Sequence, residues 1–271
     1  MLAIRHEWGR IIPGGLFLIM VLVLVNGCAV IMPRPEQRLP AKALKAFTRL
    51  RDFNQDLSAC KGLGKIRIRR QNRVQAVQLL WLCKFPDKMR LEALAPTGRS
   101  MLSLSLDGQH AYILPHSKGG KLEKRRMESV NLKHLIGIPV KSDDIMHFLA
   151  GRIPIRDFHD AAITAGPEGQ PMLRLNGLFG GTVQTIAFDE ELHHPLRVTY
   201  YSGFWHKTAH TVTFEDFQIT GGFDIPRTIG FTAGQLAATF TIRRYWADPE
   251  IPDDRFILTD PRVPPESKGS S

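Results

Sequence analysis

Two periodicities divide the chain. Between residues 40 and 57, "PAKALKAFTRLRDFNQDL", apolar side chains recur at Leu44, Phe47, Leu50, Phe53 and Leu57. Steps of three and four put them on one stripe, which predicts an amphipathic helix. From Gly62 onward the period becomes two. "MRLEALA" alternates at Met89, Leu91 and Ala93, and "MLSLSLDG" at Leu102, Leu104 and Leu106, the signature of strands with one buried face. Further runs of this kind are "HAYIL", "PMLRLNG", "TVQTIAFD", "PLRVTYY", "KTAHTVTFEDFQI", "RTIGFTA" and "LAATFTIRRYW". Turn pairs separate them, among them Asp107-Gly108, Asn176-Gly177 and Gly221-Gly222. Roughly a dozen short strands with tight connections predict a large antiparallel meander that curls to cover its own apolar face.

One interruption is helical. "SVNLKHLIGIPVKSDDIMHFLAGRIP" places Leu132, Leu135 and Ile136 before a break at Gly137-Ile138-Pro139. Ser142 then reads as an N-cap, Asp143 and Asp144 complement the helix dipole, and Ile145, Phe148 and Leu149 form an apolar stripe ended by Gly151. Two short helices placed among strands predict a plug or lid on a curved sheet. The proline-rich tail, residues 249–271, offers Phe256 to Leu258 as a contact before a disordered end.

The amino terminus follows a third pattern. A short basic segment with Arg5 and Arg10 precedes the unbroken apolar run Leu16–Val25. That is too short for a bilayer span, which needs about 20 apolar residues, and it matches the h-region of an export signal. The run stops at Val25-Asn26-Gly27-Cys28, which resembles a bacterial lipobox, with Asn26 an unusual residue for its position. Residues 1–27 are therefore expected to be a lipoprotein signal peptide, Cys28 the lipidated residue, 28–39 an extended linker with Pro33 and Pro35 and with Pro40 just after it, and 40–248 the folded domain. The competing reading is a retained single-span anchor with an incidental cysteine.

Export bears on the other two cysteines. Cys60 and Cys83 bracket two β-rich runs broken at Gln71-Asn72. If that break is a two-residue hairpin turn, opposed residues have numbers summing to 143. Cys60 and Cys83 satisfy this, Ile66 faces Val77, and Trp81 lies over Gly62. A cross-strand disulfide and a pair of buried free thiols are both compatible with the register.

Charge and chemistry narrow the function classes. The formal charge is +10, densest in "KIRIRRQNR" and "KGGKLEKRR". No aromatic-and-basic RNA-binding signature accompanies it, so nucleic acid is not expected as a partner. A solvated basic face, or one turned to anionic lipid, fits better. The histidines of "DFHDA" (His159), "LHHP" (His193, His194) and "FWHKTAH" (His206, His210) make no metal-binding spacing. His206 and His210 lie in a strand pattern, where a four-residue step spans about 13 Å. There is no GxSxG elbow, and the Gly-Gly pairs precede strands rather than helix N-termini. The expectation is a binding protein rather than an enzyme, with no cofactor and no metal.

The order of parts resembles the outer-membrane lipoprotein receptor LolB and its LolA-like relatives. The resemblance rests on "LIGIPVKSDDIMHFLAGRIPI", where Leu135, Gly137, Pro139, Val140, Phe148, Gly151 and Pro154 fit the family pattern, and on "LEALAPTGRSMLSLSLDG". It implies a mainly β fold with a few helices, an incomplete antiparallel β-barrel (half-barrel) closed by short helices. It further implies a monomer in the outer membrane of a Gram-negative bacterium, facing the periplasm and held by lipid on Cys28. The partners implied are acylated lipoprotein cargo, a periplasmic carrier and the phospholipid membrane. Candidates for an acyl-binding cavity are Trp81, Leu91, Leu102, Leu104, Leu135, Phe148, Tyr200, Phe231 and Phe240. These residue types also fill an ordinary sheet core. The membrane-facing loop of the family corresponds to Pro96-Thr97-Gly98-Arg99, where Thr97 replaces the family's exposed leucine and Arg99 offers a charge to phosphate. The alternative function is a structural or assembly lipoprotein that binds an envelope partner through its basic surface and has no ligand cavity.

Overall fold

The computed structural model describes residues 39–116, 120–126, 140–202 and 207–259. Cys28, the residues expected to be a signal peptide, Leu135, Gly137 and Pro139 lie outside them. Helix α1, Ala41–Asp52, opens the described chain. Its buried face is Ala43, Ala46, Phe47 and Leu50, whereas Leu44 is 40% exposed. The helix stops before Phe53 and Leu57 because Asn54 takes a left-handed φ of 53°, a conformation Asn tolerates at a helix C-terminus. Both residues are buried all the same.

Thirteen strands follow among the described residues, in one antiparallel sheet. The first six are β1 (Ala59–Arg70), β2 (Arg73–Lys84), β3 (Lys88–Leu94), β4 (Ser100–Asp107), β5 (His110–Pro115) and β6 (Glu123–Arg126). After helix α2 (Ser142–Leu149) come β7 (Asp160–Ala165), β8 (Pro171–Asn176), β9 (Thr182–Phe188), β10 (Pro195–Ser202), β11 (Lys207–Thr220), β12 (Phe223–Ala233) and β13 (Leu236–Ala247). The spatial order is β6-β5-β4-β3-β2-β1-β13-β12-β11-β10-β9-β8-β7. Two meanders thus meet where β1 pairs with β13, and the outermost strands β6 and β7 do not pair, so the barrel is incomplete.

That topology positions α2. The chain leaves one edge of the sheet at β6 and must reach the other at β7, and α2 lies on this crossing, packed over β12. α1 packs over β7 and β8, with Phe47 against Phe158 at 5.4 Å. The α2 helix begins at Ser142 itself, with Lys141 as the preceding cap residue, one position earlier than the cap chemistry of Ser142 predicts. Gly151 ends the turn at φ 72°, where a Cβ would come within 3.1 Å of the Asp224 carbonyl oxygen.

The β1–β2 hairpin has the expected register throughout, from Arg70 opposite Arg73 to Cys60 opposite Cys83. Gln71 supplies the left-handed residue of its turn, at φ 52°. Beyond β13 the chain runs back over the convex side. A 3₁₀ turn, Asp253–Phe256, packs on β3 and β4, where Ser105 donates a 2.6 Å hydrogen bond to the Phe256 carbonyl. Phe256 and Leu258 are buried there, as their place in the tail predicts.

Candidate functional site

The concave face of the sheet carries the apolar alternation, and α2 roofs part of it. Between them lies a cavity of about 80 Å³. Its sheet wall comprises Ile66, Leu79, Leu91, Phe231, Ala238 and Phe240, with Val212 and Ile229 beside them. The roof is Val140, Ile145, Phe148 and Leu149. Every lining side chain is hydrocarbon, so the space offers water no hydrogen-bond partner.

Of the nine cavity candidates, Leu91, Phe148, Phe231 and Phe240 line this space. Trp81, Leu102, Leu104 and Tyr200 do not. Trp81 is 1% exposed because it fills the space above Gly62 and meets Phe240 edge-on at 5.3 Å. Leu104 is solid core and Leu102 packs at its margin, both on β4 outside the roofed part. Tyr200 donates its hydroxyl to the Pro154 carbonyl at 3.0 Å and carries the Arg156 guanidinium over its ring at 4.7 Å. The residues not anticipated, such as Ile66, Leu79 and Ala238, belong to strands identified from the sequence. Which of their inward positions sit under α2 depends on sheet curvature.

A polar cluster closes one side of the roof. Asp144 on α2 is 4% exposed and accepts two hydrogen bonds from Arg156, at 3.0 and 2.6 Å. The Arg156 backbone N–H donates to Gln184 at 3.0 Å, and the Gln184 amide donates to Pro154 at 3.0 Å. Burial disfavours the Arg156 charge, but the Asp144 carboxylate outweighs it and raises the pKa. His210 lies stacked on Tyr200 at 4.6 Å and on Phe231 at 5.4 Å. Burial lowers its pKa. A sequence signal for two of these existed: Gln184 is in phase with Ile186 and Phe188, and His210 with Val212 and Phe214.

The C-terminal end of α2 is clamped separately. The Arg152 guanidinium donates to the carbonyls of Asn54, Gln55 and Leu57 at 2.6 to 3.0 Å and lies 4.2 Å over the Phe85 ring. Asn54 in turn donates to the carbonyls of Ala150 at 2.9 Å and Asp224 at 2.8 Å.

Cys60 and Cys83 are free and fully buried on the concave side, next to Trp81 and Tyr245. The loop Pro96–Arg99 is an exposed tight turn, with the Ala95 N–H on the Arg99 carbonyl at 2.8 Å and Gly98 at φ 82°. His194 is held by Asp189 at 3.0 Å and stacks on Phe217 at 4.5 Å. No group of histidines, cysteines and carboxylates among the described residues is placed to hold a metal ion. Likewise, no helix among them is long and apolar enough to cross a membrane.

No protein-family model and no curated protein matches the chain. Solved structures do. A LolA superfamily protein from Nitrosomonas europaea is 13% identical, covers 80% of this chain and 97% of its own, and superposes with a TM-score of 0.54. A domain from Vibrio parahaemolyticus described as outer-membrane lipoprotein-sorting is 10% identical, with 79% and 94% covered and a TM-score of 0.53. A DUF1329 family protein from Desulfovibrio piger is 11% identical, with 79% and 94% covered and a TM-score of 0.57. Likeness of this depth concerns the fold, which is the LolA-like incomplete barrel.

Proposed function

We propose that this protein binds acyl chains in the bacterial envelope, acting by binding rather than catalysis. In this reading it is anchored through lipid on Cys28 and passes acylated lipoproteins from a periplasmic carrier into the outer membrane. The observation that carries the proposal is the all-hydrocarbon cavity between the concave sheet and α2. The lipoprotein-sorting description of the Vibrio domain, which shares the fold, supports the same class of ligand.

The cavity of about 80 Å³ is smaller than the 150 Å³ or so that holds a benzene ring. A full acyl chain therefore enters only as α2 moves outward. The energetics allow this. Burying about 16 methylenes gains on the order of 12 kcal/mol, more than the roughly 2 kcal/mol at stake in breaking the Asp144–Arg156 ion pair, whose arginine is 35% exposed.

The test is uptake of a fluorescent 16-carbon fatty acyl probe by the purified, delipidated protein. Ala238→Leu, which fills the cavity, is expected to weaken uptake at least tenfold while the circular dichroism stays unchanged. Uptake by neither protein would sink the proposal. The second reading, an assembly lipoprotein with a filled interior, is favoured by Trp81, Phe188 and Phe214, each at most 1% exposed. It gains if no acyl probe binds and one envelope protein copurifies stoichiometrically.

A further inference from the structure

The convex face carries a groove that acyl binding leaves unused. It opens among β13, β1, β2, β3 and the 3₁₀ turn and has a volume of about 470 Å³. Its floor is Leu63, Leu80 and Leu82, all half-buried. The sequence makes this floor through "LLWLC" in β2, where Leu79 and Trp81 turn to the concave side and Leu80 and Leu82 to the convex one.

Its rim is cationic. Lys61, Arg90, Arg244 and Arg255 line it, together with the Trp246 indole, which is 44% exposed. A bulge in the β1–β13 ladder at Leu63/Gly64 leaves Arg243 and Arg244 both exposed although they are consecutive. Lys61 stands directly opposite Trp246, its ammonium 5.5 Å from the ring centre. Glu92 is the carboxylate of the lining and is already gripped by Arg90 at 3.0 and 2.6 Å. Lys61, Arg244 and Arg255 have no carboxylate within ion-pair distance among the described residues. Lys65, Arg67 and Arg69 continue the basic row outward along β1.

We propose that this groove docks the protein on an anionic phospholipid surface. Lys61, Arg244 and Arg255 take the headgroup phosphate, Leu63, Leu80 and Leu82 take the glycerol and first methylenes, and Trp246 sits at headgroup depth. Charge complementarity selects an anion, while the aliphatic floor and exposed indole select one with an apolar stem. An acidic peptide fits less well. The groove lies in mid-sheet, where the backbone of β1 is paired on both sides by β2 and β13, so it offers no free edge for strand addition. The groove is on the face opposite the cavity and stands apart from the acyl-binding reading.

The experiment uses the full chain in vesicles of phosphatidylcholine with or without phosphatidylglycerol, brominated on the shallow part of its acyl chains, and reads tryptophan emission. The wild type is expected to lose more emission than Trp246→Phe in vesicles containing brominated phosphatidylglycerol. With brominated phosphatidylcholine alone the two are expected to match. Lys61→Gln combined with Arg244→Gln should abolish the difference, as should about 1 M salt, where the Debye length is about 3 Å. The circular dichroism and acyl-probe uptake of the charge variant should stay at wild-type levels. Equal quenching in wild type and Trp246→Phe overturns the proposal, and so does persistence of the difference in the charge variant or its loss on adding millimolar inorganic phosphate. Failure of acyl uptake with the Trp246 signal intact overturns the cavity reading and leaves this one standing.

Discussion

The Arg156 guanidinium binds both oxygens of the Asp144 carboxylate, at 3.0 and 2.6 Å, and so ties helix α2 to the segment that leads into β7. Asp144 is 4% exposed while the Arg156 side chain is 35% exposed. Removing the arginine strands a buried carboxylate, which costs 3–5 kcal/mol when both partners are fully buried. Because water reaches Arg156, the expected loss for Arg156→Ala is nearer to about 2 kcal/mol. Urea unfolding measures it. The same variant should take up the acyl probe faster, because α2 loses its tether on that side. A variant that loses stability without gaining uptake rate would separate the ion pair from gating.

Gly62 and Trp81 make a second paired test. They lie opposite each other across β1 and β2, and a Cβ on Gly62 would stand 2.1 Å from Trp81 Cζ2. The indole is wedged between Phe240 and Tyr245 and has nowhere to go. Gly62→Ala is therefore expected to cost about 1–3 kcal/mol by overpacking. In Trp81→Leu, the same glycine substitution should cost much less. A double-mutant cycle by urea denaturation reads the coupling directly.

Much of this was legible in the sequence, for local reasons. A two-residue turn at Gln71-Asn72 fixes every pair in the hairpin once its first pair is set, so the Cys60–Cys83 and Gly62–Trp81 oppositions followed by counting. Period-two alternation identified the strands because each buries one face. What stayed hidden is long-range. Nothing near Cys60 announces that β1 meets β13, with Cys60 opposite Ala247. Hence Phe240 was named as a cavity candidate through the resemblance, but neither its place in one wall with Ala238 nor the convex groove with Trp246 could be assembled from local pattern. The Asp144–Arg156 pair joins positions twelve apart, from the first turn of α2 to the irregular segment that follows the helix, and leaves no periodic trace. The run Leu79-Leu80-Trp81-Leu82, apolar on both faces, was a visible sign that the convex side of β2 is also used.

Cys60 and Cys83 are buried, free and directly opposed. Opposed residues on neighbouring antiparallel strands have Cα atoms about 4.5–5.5 Å apart, within the range a disulfide spans. Native protein is expected to resist a bulky thiol reagent, and denatured reduced protein to react at both positions. Refolding with oxidised glutathione should join them, with the mass of two hydrogens lost and the fold unchanged by circular dichroism. Rapid labelling of either thiol in the native state would contradict the burial.

Acid should loosen the same helix that the ion pair secures. His147 on α2 and His210 on β11 are both held below the ordinary histidine value of 6.5. For His147 burial is the leading cause and the Arg152 charge adds to it, against Asp144 and Asp143. For His210 burial again leads, with Asp144 opposing and Arg156 adding. A lowered pKa in the folded state means that the unfolded chain takes up protons first as pH falls. Stability then rises with pH between the folded value and 6.5, is complete above 6.5, and is lost on acidification through that window. Urea midpoints taken at about pH 7.5 and about pH 5 should therefore fall at the lower pH. His147→Gln and His210→Gln should each flatten the dependence, since glutamine cannot gain the proton. His147 shares α2 with Phe148, and His210 stacks on Phe231, both cavity-lining residues. Release of bound acyl probe should accordingly quicken over the same pH interval in the wild type and do so less in the double variant. An unchanged slope in that variant would assign the acid sensitivity to other groups.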